Sequence, residues 1–173
     1  ATRGDSYDHL LAGERAQMVF ADAPYNVRID GHVGGSGKIR HREFVMASGE
    51  MSRDAFTAFL ATVFGHLVDH SVDGSIHYHC MDWRHMDEML AAGVDAYSEF
   101  KNLVVWVKDN GGMGSFYRSQ HELVFVFKNG TATHINNFGL GASGRYRTNV
   151  WTYAGVNTLR PGRMDELALH PTV

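Results

Sequence analysis

Gln17-Met18-Val19-Phe20-Ala21-Asp22-Ala23-Pro24-Tyr25-Asn26-Val27 is the stretch on which the reading of this chain turns. Gln17 to Ala21 is a short, mostly apolar run with the length and composition of a buried strand. It delivers Asp22 to the point where Pro24, which has no N–H, ends sheet pairing. A carboxylate, a constrained turn and an aromatic ring therefore leave the end of one strand together. In open α/β sheets the carboxyl ends of the strands are where ligands collect, so Asp22, Ala23, Pro24 and Tyr25 are candidates for chemistry.

The 173 residues are 44% hydrophobic and 12% aromatic, enough for one domain with a real core and too apolar for a disordered chain. A single cysteine, Cys80, excludes an intramolecular disulfide and fits a reducing, cytoplasmic setting. No apolar run approaches the roughly 18 residues of a membrane span, so no membrane partner is expected. The formal net charge of −3 does not advertise a nucleic-acid binder; any such contact must come from local basic patches.

Outward from the opening stretch, Tyr7 to Leu11 reads as a short helix for which Asp5 or Ser6 is a fitting cap. From Arg28 to Glu50 no period is sustained, and Lys38, Arg40 and Arg42 lie among glycines; the segment reads either as a lid carrying phosphate contacts or as a solvated loop. Ser52 then opens an amphipathic helix whose Phe56, Phe59, Leu60, Val63, Phe64 and Leu67 share one face. Gly74 to Cys80 is the next strand, and Asp82 begins a helix ending at Gly93. His77 and His79 point to one face of that strand with Cys80 and His85 nearby, but no second cluster of matching spacing appears, so a metal site is not expected. Leu103 to Val107 and His121 to Lys128 read as strands, and their separation suggests an antiparallel pair. Gly139 to Gly144 is glycine-rich without the strand and helix of a dinucleotide loop. Arg145, Arg147, Trp151 and Tyr153 follow, a mixture that can meet a nucleic-acid strand, although Trp151 to Tyr153 can equally be a half-buried strand.

The order Asp22-Ala23-Pro24-Tyr25 resembles the D/N/S-P-P-Y/F motif of the DNA methyltransferases that act on exocyclic amines. Gly4-Asp5-Ser6 resembles an element preceding that motif, Asp109 to Gly130 resembles a loop-strand segment of the same enzymes, and His170-Pro171-Thr172-Val173 resembles the first half of their H-P-T-x-K-P element. The order of these pieces is that of the permuted β class. The resemblance implies a class I S-adenosylmethionine-dependent methyltransferase fold, a Rossmann-like three-layer α/β/α sandwich, circularly permuted and, lacking the glycine-rich cofactor loop, incomplete. A single catalytic domain over residues 1–173 is expected, with a lid at 28–51 and a target-recognition segment at about 131–163.

The same resemblance implies roles. Asp22 and the carbonyl of Ala23 would accept from the target amine, Pro24 would fix the turn and Tyr25 would stack on the base. Asp5, Ser6, Asp22, His170, Pro171 and Thr172 would contact S-adenosylmethionine, while Lys38, Arg40, Arg42, Arg118, Arg145 and Arg147 would contact double-stranded DNA. Phe116, Tyr117 and Arg118 would either line the base pocket or pack their loop onto the sheet. The expected activity is methyl transfer to the exocyclic amine of a flipped-out base, adenine in the first place and cytosine in the second. Ala23 stands where the family has proline, which removes one restraint on the turn. Two alternatives remain open: a DNA- or partner-binding fragment without activity, and a methyltransferase acting on RNA or protein. A missing central strand would also leave an open edge and favour a homodimer or aggregation.

Overall fold

The computed structural model describes residues 1–29, 42–112 and 116–155. Along the chain come α1 (Gly4–Leu11), β1 (Ala16–Asp22), α2 (Arg53–Asp69), β2 (Ser71–Met81), a short 3₁₀ turn (Trp83–His85), α3 (Met86–Ala96), β3 (Glu99–Val107), β4 (His121–Lys128) and β5 (Val150–Thr152). The five strands form one sheet in the order β1-β2-β4-β3-β5. β1 and β2 pair in parallel, β4 runs antiparallel to both β2 and β3, and β5 joins β3 in parallel. The expected antiparallel pair is therefore present, with β4 inserted between two strands of the opposite sense.

Alternation along each strand sorts the side chains onto two faces. His77, His79 and Met81 of β2 share one face with Leu123, Phe125 and Phe127 of β4, and the apolar stripes of α2 and α3 close over them. Ser52 caps α2 by accepting from the Ala55 N–H at 3.2 Å, and Phe56, Leu60, Val63 and Phe64 are the buried stripe. Burying each of those side chains stabilises the fold by roughly 1.5–3 kcal/mol. Gly93 of α3 lies directly on the Phe127 ring, leaving no room for a Cβ.

The two histidines are structural. Tyr97 Oη lies 2.9 Å from both His77 Nδ1 and His79 Nε2, and the Ser75 hydroxyl is 3.0 Å from His77 Nε2. Burial holds the His77 imidazole down at about 4 and the His79 imidazole at about 3, the latter helped by His77. Cys80 lies on the opposite face, and His85 turns to Glu88.

That opposite face carries a smaller cluster of Cys80, Val104, Val124 and Val126, with Tyr25, Ile76, Tyr78 and Trp151 against it. No described helix residue packs on this cluster, so the sheet and one helical layer of the expected sandwich are what the described residues contain. Met18 and Phe20, on this face of the edge strand β1, are 60% and 56% exposed. No helix among the described residues is long and apolar enough to cross a membrane.

Candidate active site

β1, β2 and β3 run the same way, so their carboxyl ends form one edge of the sheet together with the start of β4. That edge collects Asp22 from β1, Asp82 following β2, Lys108 following β3 and Glu122 from β4. Asp22 pairs across to Cys80, and Cys80 to Val124, which places Asp22, Cys80 and Glu122 on one face.

Each carboxylate here has its own partner. Tyr25 Oη donates to Asp22 Oδ1 at 2.7 Å, and Asp22 Oδ2 has no hydrogen-bond partner among the described residues. Asp82 Oδ1 accepts from the Arg84 N–H and Nε, both at 2.8 Å, and Oδ2 accepts from its Nη2 at 3.0 Å. Glu122 Oε1 accepts from Lys108 Nζ at 2.7 Å, both side chains being nearly buried. Desolvation raises the Glu122 carboxyl above the usual range against the pull of Lys108, with Asp22 and Asp82 pushing the same way as burial. Burial, then the charges of Asp22 and Glu122, push the Cys80 thiol up to about 12, so it is no nucleophile. The Tyr25 hydroxyl is raised too, by burial first and Asp22 second, and stays a neutral donor.

The Tyr25 ring is half-buried and packs against both core clusters, with its hydroxyl held on Asp22. Asn26 fixes the turn that follows. Its backbone is left-handed at φ 54°, a region asparagine tolerates, and its side chain is buried. Asn26 Oδ1 accepts from the N–H groups of Gly49 (3.0 Å) and Met51 (3.3 Å), and Nδ2 donates to the Met51 carbonyl at 3.0 Å. This clasp ties the exit of β1 to the approach to α2. Ala23 and Pro24 sit between Asp22 and this clasp.

Other expected site residues lie elsewhere. Asp5 and Ser6 are in the first turn of α1, with Asp5 paired to Arg3. α1 docks on the end of α2 through Tyr7 against His66 and His70, and His70 directly precedes β2. The structure thus puts Asp5 and Ser6 at the edge where β1 and β2 begin and does not bring them to Asp22. Arg145 and Arg147 are brought together around Phe138: Arg145 Nη1 donates to the Asn137 carbonyl at 2.9 Å, and the Arg147 guanidinium lies 5.0 Å over the Phe138 ring. Arg42 and Arg118 are exposed, as are Phe116 and Tyr117. Lys38, Arg40, His170, Pro171 and Thr172 lie outside the described residues.

Sequence reasoning missed Asn26, Lys108 and Glu122. A charged residue inside the otherwise apolar strand HELVFVFK was the available signal for Glu122. Nothing local flags Asn26, whose partners are more than twenty residues away.

No protein-family model and no curated protein sequence matches the chain. Solved structures do. The complex of M1.HpyAVI with S-adenosylmethionine aligns with a TM-score of 0.54 at 10% identity, over 92% of this chain and 66% of that one. M1.HpyAVI alone gives 0.52 at 9% identity, over 96% and 68%. TTHA0409 of Thermus thermophilus, designated a DNA modification methylase and complexed with S-adenosylmethionine, gives 0.50 at 12% identity, over 84% and 63%. The likeness is one of fold: the mixed sheet with its helices is that of class I methyltransferases. This chain spans about two thirds of the length of these proteins.

Proposed function

We propose that this chain is the catalytic domain of a DNA methyltransferase that transfers the methyl group of S-adenosylmethionine to the exocyclic amine of a flipped-out adenine. The observation that carries the reading is Asp22 at the carboxyl end of β1, with Oδ1 held by Tyr25 and Oδ2 open. An exocyclic amine is a poor nucleophile because its lone pair is delocalised into the ring. Asp22 Oδ2 accepts one amine N–H and the Ala23 carbonyl accepts the other, which favours the pyramidal nitrogen that attacks. S-adenosylmethionine, when bound, supplies an electrophilic methyl on a positively charged sulfur. The amine lone pair would take that methyl, leaving the sulfur as a neutral thioether with the former C–S pair, and the surplus amine proton would depart by way of Asp22. Tyr25 keeps the carboxylate aimed, and Asn26 holds the turn that carries Ala23 and Pro24.

The residues present fit a cationic donor. Asp82 is paired with Arg84 and Glu122 with Lys108, while Asp22 has no ion-pair partner among the described residues. The exposed Arg145, Tyr146 and Arg147, which precede β5, and Tyr153, which follows it, supply cations and aromatic rings of the kind that meet phosphates and bases, and double-stranded DNA is the substrate they suit. His170, Pro171 and Thr172 remain the proposed cofactor contacts, and Lys38, Arg40, Arg42 and Arg118 the proposed further DNA contacts; Asp5 and Ser6, at the opposite edge of the sheet, are left out of this proposal.

Calorimetric titration with S-adenosylmethionine tests the reading, followed by transfer of labelled methyl to DNA, RNA and protein side by side. Micromolar binding with label entering DNA adenine is the expected result. Asp22→Ala is expected to lower the transfer rate by roughly 10²-fold or more, the scale of losing a transition-state acceptor. A folded chain that binds no S-adenosylmethionine, or label entering RNA or protein instead, would overturn it.

A further inference from the structure

The Lys108–Glu122 pair is nearly buried on the Asp22 face of the sheet, where an ion pair returns little stability for the cost of its desolvation. Its orientation is set by strand order. Asp22 is on β1, Asp82 follows β2, Glu122 is on β4 and Lys108 follows β3, so β1-β2-β4-β3 places Glu122 between Asp22 and Lys108. The pair is therefore a fixed dipole with its negative end toward Asp22. Glu122 accordingly bears on both the Tyr25 hydroxyl and the Cys80 thiol. Lys108 is itself immobilised: its N–H donates to the Gln120 carbonyl at 2.9 Å, Nζ stands 5.2 Å over the Trp106 ring, and its stem packs beneath Gly155.

Resting on the reading above, we propose that Glu122, paired with and oriented by Lys108, makes this site prefer a positively charged sulfonium donor over its neutral thioether product. A methyl passing from sulfur to an amine on Asp22 requires the sulfur close to Asp22, and Glu122 stands two strand spacings across and two residues along the sheet, roughly 12 Å away. At that separation in a partly desolvated cleft, one unit of charge changes the affinity for a cation by about fivefold and leaves a neutral ligand nearly untouched. The preference serves turnover, since the spent product loses the attraction that drew the donor in.

The test measures the affinities of S-adenosylmethionine and S-adenosylhomocysteine for the wild-type chain, Glu122→Gln and Lys108→Met. Glu122→Gln is nearly isosteric and keeps an acceptor for Lys108. It is expected to weaken sulfonium binding about fivefold while thioether affinity stays within about twofold of wild type. In Lys108→Met, Glu122 loses its counter-ion among Asp22, Tyr25, Cys80 and Asp82 and its carboxyl is raised further, so the sulfonium preference is lost at a higher pH than in the wild type. Equal weakening of both ligands in Glu122→Gln, or a preference that neither variant alters, would overturn the proposal. Failure of the wild-type chain to bind either ligand would instead overturn the functional reading on which it rests.

Discussion

Tyr97 has one hydroxyl proton to give and two histidines to serve. Its oxygen accepts from one imidazole N–H while its proton goes to the other ring, so the ring that takes the proton is neutral, burial disfavours charge on its neighbour, and with both neutral their tautomers run in one sense along Ser75, His77, Tyr97 and His79. Replacing Tyr97 with Phe leaves buried ring nitrogens without a partner and is expected to cost about 1–3 kcal/mol, read from the urea midpoint. Both imidazoles titrate lower in the folded chain than the ordinary 6.5, at about 4 and about 3, so the unfolded chain binds protons first. The stability they contribute is present above pH 6.5 and drains as the pH falls toward 4 and then 3. Urea midpoints between about pH 7 and about pH 4.5 should fall steadily in the wild type, and a midpoint constant over that range would contradict the assignment. That His77 and His79 share a face was legible from their spacing; that Tyr97 joins them was not, because it arrives from the far end of α3.

Among the elements, α3 approaches β4 most closely at Gly93. A methyl group there would meet the Phe127 ring, itself fully buried, so Gly93→Ala is expected to destabilise the chain by at least about 1–3 kcal/mol despite alanine's better helix propensity. A thermal melt settles the sign, since propensity alone predicts a gain. The elements with strong internal periods were readable. α2 has Ser52 as its cap and buries Phe56, Leu60, Val63 and Phe64 as its pattern requires, and β4 spans His121–Lys128 as its composition predicts. α1 was readable as a helix but not as to where it docks, because a helix this short buries none of its residues fully and its position depends on His66 and His70 at the end of α2. Asp22 stood out because its chemistry lies within four consecutive residues. Glu122 and Lys108 did not, because their meeting depends on which strands become neighbours.

For the whole molecule, β1 is an edge of the described sheet, and Met18 and Phe20 remain largely exposed on it. An unpaired strand edge beside an uncovered apolar face favours association. The isolated chain is expected to form dimers or larger species as concentration rises, measured by light scattering; a monodisperse monomer at high concentration would count against this. The strand order has one more consequence, in the time taken to fold. β4 lies between β2 and β3, although β3 is made first, so β3 cannot settle beside β2 without blocking the place β4 must take. The productive route is for β3 and β4 to zip together as a hairpin and dock as a unit through β4 onto β2. Such non-local pairing is slow, and refolding should proceed over milliseconds to seconds, limited by that docking step.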